Sequence, residues 1–555
     1  MQLDRIRARK AIYDADLGAG ATVIREPCTE ETREEIRKDI IAWADSAGGP
    51  PVFWLTGQAG SGKTTIAYTI AQYFDGLEKT GRHTVLAGTF FCSRQFEETR
   101  RQIHIIPTLV YQLARMSRSY AHTLNESGNF DSVDKLTKQM KDLFVGPWLQ
   151  SEPQRHTELP PYLIIIDALD EIEANGGSMF LQDILETINR HLDGPSPLRG
   201  LRFLVTSRPD PRVVELCKSF SSNAVCRLQD VPTERVGSDI MQYLCVKLPK
   251  LDKTELNTMT QLAGGLFISA ATIVRYLTPH QRITVDEQRE LLSKLHVRQS
   301  FSASDARQPL FIDELYQQIL RDAFSGLDDD LFNSRLHILH TFLSTFERTS
   351  TSLAAALLSK PDAIAVAVLN ELHAVLYCKD NQVLWYHASF PDFIFSQTET
   401  RSTFELDGRR ISMSIDKAHH HALITKSCFD IMKSQLRFNI GDIPSSFVLD
   451  AEDPELTKRI DTNIDAVLRY ASQYWAHHLA QTDKTKVDCE DLGDCMTDFL
   501  RIRVLFWIEA MNLLQSSGQC TTMLQCAREW ALKVRTLPLW IYSFNAGWSE
   551  CEQAI

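Results

Sequence analysis

The sequence predicts an α/β domain built on a parallel sheet, followed by domains that are mainly helical. Three observations carry that expectation. Between residues 51 and 232, short apolar runs alternate with helical segments, the pattern of a parallel sheet covered on both faces. A glycine-rich loop, Gly57-Gln58-Ala59-Gly60-Ser61-Gly62-Lys63-Thr64-Thr65, joins the first such run to the first helix. Beyond residue 232 helical spacing dominates, broken by one short hairpin.

The loop fits G-x-x-x-x-G-K-[ST], the phosphate-cradling loop of P-loop NTPases. Val52-Phe53-Trp54-Leu55 before it reads as a buried strand, and residues 66–74 after it have helical spacing. Strand, loop and helix together give the motif its chemistry. Glycines let successive backbone N–H groups face inward, and the helix N-terminus adds positive potential. Lys63 is then placed for the β- and γ-phosphates, and the Thr64 hydroxyl for Mg²⁺.

Bulk properties narrow the class. A chain of 555 residues that is 44% hydrophobic is expected to hold three or four globular domains. A net charge of -12 argues against a general nucleic-acid binder. No apolar run is long enough to span a membrane, and the first residues lack the apolar core of a secretory signal. The 12 cysteines are scattered without a C-x-x-C pair, as free thiols of a reducing, cytoplasmic compartment would be.

In chain order, residues 1–25 read as a short helical stub. Residues 26–50 read as a linker helix over 34–47, with Thr29, Thr32 and Glu35 as capping residues and Gly48-Gly49-Pro50-Pro51 as its end. The NTPase core spans 51–232. Its further strands are expected at 84–91, 162–167, 201–209 and 224–228, with helices at 106–115 and 179–192. Ligands bind at the carboxyl ends of such strands, where Gly57, Asp167 and Arg208 fall. Asp167 ends an apolar strand and is the expected Mg²⁺ ligand, with small Ala168 beside it. Asp170 and Glu171 either polarise an attacking water or cap the next helix. Arg208 either senses the γ-phosphate or forms a surface salt bridge.

Residues 233–310 read as a helical subdomain centred on Leu262-Ala263-Gly264-Gly265-Leu266-Phe267-Ile268. Residues 311–404 show a winged-helix order: helices at 335–346, 352–358 and 362–376, then a hairpin turning at Asp380-Asn381. The third helix has no Lys or Arg, so the module is expected to pack rather than to read DNA. Residues 405–555 read as an α-helical domain with amphipathic stretches at 466–475 and 499–514. In His419-His420-His421, adjacent residues point in different directions, so a solvated face is expected rather than a metal site. No repeat of sensor-array length is evident.

Residues 57–65, Asp167-Ala168-Leu169-Asp170-Glu171 and Thr206-Ser207-Arg208-Pro209 together resemble a NACHT-type NTPase of the STAND class. The wording Phe53-Trp54-Leu55-Thr56-Gly57 and Phe90-Phe91-Cys92-Ser93-Arg94 is similar to fungal NACHT proteins with the nephrocystin-3-like form of the domain. The resemblance covers residues 26–400 well and the rest loosely. It implies Thr32 and Arg33 near the adenine, and a winged-helix histidine, His387, on the β-phosphate of ADP. Phe267 stands where many such proteins carry the proline of a base-packing Gly-x-Pro; an apolar contact to the base and a plain core helix both remain open. The resemblance further implies an ATP/ADP- and Mg²⁺-dependent signalling switch with slow hydrolysis and self-association on activation. An unidentified protein trigger and effector complete that picture, and fungal non-self recognition or innate defence is its setting. A nucleotide-locked scaffold with negligible turnover is the alternative.

Overall fold

In strands buried on both faces, neighbouring side chains enter different cores. That alternation is what Val52-Phe53-Trp54-Leu55 encodes: Val52 and Trp54 pack into one apolar cluster, Phe53 and Leu55 into another. In the computed structural model, which describes residues 6–14, 24–46, 48–77, 84–127, 129–133, 135–154, 161–189, 198–279, 283–296, 309–396, 401–445, 453–482 and 488–533, this run is strand β1 (Val52–Thr56). It joins β2 (Val85–Phe91), β3 (Tyr162–Asp167), β4 (Leu201–Ser207) and β5 (Val225–Arg227) in one sheet of order β2-β3-β4-β1-β5. Every adjacent pair is parallel.

Helices α1 (Glu34–Asp45) and α2 (Lys63–Asp75) cover one face of the sheet; α3 (Ile105–Met116) and α4 (Gly176–Asn189) cover the other. The order puts β4 between β1 and β3, so Thr206 of β4 lies between the glycine loop and Asp167. This is an α/β fold of the P-loop NTPase type.

Boundaries move for local reasons. Thr84 stays out of β2 because its N–H donates to Asp45 (3.1 Å) and its hydroxyl to the Ala44 carbonyl (2.9 Å). The expected caps of α1 do not form. Arg33 occupies the N-cap with φ 53° and no side-chain cap, while the Thr32 hydroxyl donates to the Thr29 carbonyl at 2.7 Å. Left-handed backbone in a residue with a Cβ is costly, and here it turns the Arg33 side chain toward the glycine loop.

After the sheet come α5 (Thr233–Lys247), α6 (Lys253–Leu262) and α7 (Phe267–Leu277). The Ile268 N–H donates to the Gly60 carbonyl (3.1 Å), so the start of α7 lies directly on the glycine loop. Gly60 is required there: its φ is +76°, and a Cβ would fall 1.9 Å from Ile268 Cγ2.

The chain divides into two compact units. The first is residues 1–319 with 373–380 and 384–390; the second is 320–372, 381–383 and 391–555. The second unit holds α8 (Asp329–Ser344), α9 (Thr351–Leu357), α10 (Asp362–Glu371), α11 (Lys417–Gln435), α12 (Ala466–Ala480), α13 (Val504–Leu513) and α14 (Cys520–Lys533). In sequence, α10 is followed by β6 (Leu376–Lys379) and β7 (Gln382–Trp385), which pair as a two-stranded sheet. Asp380 and Asn381 both have positive φ, as a two-residue hairpin turn requires. The stretch 499–514 opens with a π-helical turn (Phe499–Arg503) before α13.

The triplet His419-His420-His421 is not on a solvated face. His420 is fully buried and His421 nearly so. Helix α11 packs against α8, α9 and α12, so more than one of its sides is covered. The ten cysteines whose side chains are described are all free thiols.

Candidate nucleotide site

The carboxyl ends of β1, β3 and β4 open onto a cavity of about 460 Å³, inside the size range of small-molecule sites. All its lining residues belong to the first unit. Of the glycine loop, Ala59, Gly60, Gly62, Lys63, Thr64 and Thr65 line it. Gly57, Gln58 and Ser61 shape the loop instead. The Ser61 hydroxyl donates to the Gln58 carbonyl (2.9 Å), and Lys63 Nζ donates to the carbonyls of Gly57 (2.7 Å) and Gln58 (2.9 Å). Burial lowers the Lys63 ammonium to about 8, with Asp170 and Asp167 pulling it back up. An anion beside such a cation recovers part of the lost solvation.

Asp167 is 1% exposed at the end of β3. One of its oxygens accepts the Thr206 hydroxyl at 2.6 Å. Burial raises its pKa, and the Thr206 and Thr64 hydroxyls act against that rise. Ala168 follows in left-handed backbone (φ 54°), its N–H donating to Thr206 Oγ1 at 2.9 Å. Thr64 and Asp167, the two residues expected at Mg²⁺, both line this cavity. A buried carboxylate with an adjacent hydroxyl fits a hard divalent cation.

The paired acids separate in role. Asp170 accepts the Arg208 backbone N–H (2.8 Å) and faces Arg208 Nε at 3.3 Å. Glu171 accepts the Arg94 N–H at 3.2 Å, and burial followed by Asp170 raises its carboxyl to about 7. Neither acid caps α4, which starts at Gly176.

Arg33 is 5% exposed and lines the cavity. Its Nη2 donates to the Ser61 carbonyl at 3.2 Å, and its guanidinium lies 4.9 Å from the Phe267 ring centre. Nε and Nη1 make no hydrogen bond, Nε facing Asp239 at 3.7 Å. Orphaned buried donors beside a cavity are the kind of group a ligand satisfies.

His387 also lines the cavity, brought there by a segment that returns late in the sequence. Gln95, just past β2, holds that segment twice: Nε2 donates to the Trp385 carbonyl (3.2 Å) and Oε1 accepts the Trp385 N–H (3.1 Å). The Ser389 N–H donates to His387 Nδ1 at 3.1 Å, so Nδ1 is an acceptor. The neutral ring then carries its proton on Nε2. Ser389 Oγ lies 2.7 Å from the same Nδ1 and 2.7 Å from the Tyr316 hydroxyl, which fixes the ring further. Burial, then Arg208, Lys63 and Arg275, push the imidazole down to about 3. At neutral pH it is an uncharged N–H donor among three cations.

Residues 32–208 match the family described as nephrocystin 3, N-terminal. That is 177 of the 555 residues, the span from Thr32 to Arg208 that holds the glycine loop and the acids. A comparison with curated proteins found no match. Solved structures with a similar chain path include a Pyrococcus horikoshii STAND protein with a tetratricopeptide repeat sensor (12% identity, TM-score 0.38, 93% of this chain and 66% of that one). This chain thus spans about two thirds of that protein's length. The Aeropyrum pernix ORC2 protein (14%, TM-score 0.32, 66% and 91%) and the Thermotoga maritima RuvB branch-migration motor (11%, TM-score 0.24, 66% and 96%) are also similar.

Sequence reasoning missed part of the lining. Cys92, Ser93 and Gln95 follow β2 and were findable, because carboxyl ends of parallel strands are where ligands sit. Arg25, Tyr243 and Arg275 line the cavity without any motif to mark them.

Proposed function

We propose that the chain is a nucleotide-binding signalling ATPase of the STAND type, a switch held closed by ADP and opened by ATP. The observation that carries this reading is convergence. The glycine loop, the Asp167–Thr64 pair, the Asp170–Glu171–Arg208 group and His387 face one cavity although they come from four separate stretches of sequence. Such a set of cations, N–H donors and one metal-type carboxylate fits a nucleoside polyphosphate with Mg²⁺.

Each residue then has a task. The amides of residues 59–65 and Lys63 bind the phosphates. Asp167 and Thr64 would hold Mg²⁺, which when bound neutralises phosphate charge and orients the terminal group. Glu171, poised near neutrality, takes a proton from an attacking water. Asp170 keeps Arg208 in place. Arg33 and Phe267 flank the base, and His387 Nε2–H donates to the β-phosphate of ADP.

The resemblance to fungal NACHT proteins supports the finer setting: self-association of the open form, a protein trigger and effector, and cytoplasmic non-self recognition or innate defence. A nucleotide-locked scaffold is the second reading: Arg208 is held by Asp170 through Nε at 3.3 Å, an arrangement that a static, nucleotide-bound site also accommodates. Single-turnover hydrolysis beside measured bound nucleotide separates the two. The double change Asp170→Asn, Glu171→Gln is expected to spare ATP binding and to slow turnover by about 10²- to 10⁴-fold. Turnover that is negligible in the wild type, with nucleotide bound, supports the scaffold instead.

A further inference from the structure

Arg275 lies two turns into α7 with its guanidinium 4.1 Å from the centre of the Tyr386 ring, next to His387. Its Nε donates to the Ala374 carbonyl (2.9 Å) and its Nη2 to the Thr272 hydroxyl (3.0 Å). No acid forms an ion pair with it among the described residues; the hydroxyls of Tyr243, Tyr386 and Tyr316 act on it first, and the carboxylate of Glu26, which lines the same cavity, acts last. Two of its three nitrogens are thus spent on neutral acceptors. Nη1 has no partner, yet it is not among the sealed, unsatisfied atoms, and the residue lines the cavity that holds Lys63. A guanidinium drawn into the protein without a paired carboxylate is costly unless something anionic meets it. Lys63, Arg208 and Arg275 line the same cavity as His387, so three cations face one space.

We propose that Arg275 is a phosphate-binding residue: Nη1 donates to the polyphosphate while Nε and Tyr386 clamp the segment that carries His387. Phosphate occupancy and the docking of that segment on α7 then depend on one side chain. This rests on the nucleotide reading above. The planar fork suits that double duty, since one edge stacks and bonds while the other stays free.

The test is calorimetry with ADP and with adenosine, which lacks phosphate. Arg275→Gln keeps the polar length and removes the charge. It is expected to weaken ADP about 10- to 100-fold, the range for one lost bond to a charged group, and to leave adenosine unchanged. Arg275→Lys, which keeps the charge and loses the fork, is expected to weaken ADP by less. If Arg275→Gln does not fold, the lysine variant decides. A folded variant of either kind that binds ADP like the wild type, or that loses ADP and adenosine equally, overturns the proposal. Lys63→Ala is run alongside: if it leaves ADP affinity intact, the nucleotide reading itself fails, whereas loss in Lys63→Ala alone confines the failure to Arg275.

Discussion

In the first unit, Arg33, Lys63 and Asp167 are buried around a cavity. In the second unit, His340, His420, His421 and His478 are buried, with half-buried His337 beside His420. His421 and His478 share a hydrogen between their Nδ1 atoms (2.8 Å), and His478 Nε2 meets the Tyr470 hydroxyl (2.7 Å). His340 Nε2 donates to the Met413 carbonyl (2.8 Å), His420 Nε2 meets Thr341 Oγ1 (3.1 Å), and the His337 and His420 rings stack 5.7 Å apart. Burial depresses all five, His340 to about 4 and His421 to about 3. One unit therefore keeps charged groups that a charged ligand completes. The other keeps imidazoles neutral by packing them where no anion is supplied. Buried titratable groups mark a ligand site only when they face open space.

Acid sharpens this comparison with the largest expected effect. A histidine depressed by folding leaves the unfolded chain as the better proton binder below its ordinary value of 6.5. Its stabilising contribution is complete above that pH and falls as pH drops toward the folded value. The slope is about 1.4 kcal/mol per pH unit for each such histidine. With five such groups, the second unit is expected to be the more acid-sensitive of the two. The first unit has one such group in its cavity, His387, and Glu171 acts in the opposite sense. A carboxyl raised to about 7 costs the fold most above that pH and is relieved as pH falls. Hydrogen exchange read by mass spectrometry at pH 7 and pH 5 is expected to show α11 and α12 losing protection before β1, β3 and β4. Loss in the reverse order breaks the comparison.

A smaller effect tests the cavity side. His387→Leu removes one donor to a charged phosphate, a contact worth roughly 1.5–3 kcal/mol. ADP retention is expected to fall about 10- to 100-fold and the self-associated fraction to rise, while ATP affinity changes little. ADP release measured beside light scattering reads both. Unchanged ADP release in a monomeric variant would make His387 a packing residue like the histidines of the second unit.

What the sequence disclosed follows the same divide. The glycine loop is legible because its geometry is local: nine consecutive residues make the turn, place Lys63 and start α2. The five parallel strands are legible because burial on both faces leaves continuous apolar runs, as in Tyr162–Asp167. The expected caps of α1 failed because Arg33 answers to Ser61, 28 residues away in sequence. The histidine triplet was misjudged for a similar reason. Helical direction gives where adjacent side chains point, but the cover over His420 and His421 comes from α8 and α12. Arg275 stayed invisible because its partners, Ala374 and Tyr386, are about a hundred residues further on.

The central claim is that this cavity binds nucleotide through its phosphates, and calorimetric titration of ADP into wild type and Lys63→Ala tests it most directly. Lys63 is 8% exposed and held between two loop carbonyls, so the alanine variant is expected to keep its fold by circular dichroism and to lose ADP binding at least 100-fold. Equal ADP affinity in the two proteins, or no binding in either, would contradict it.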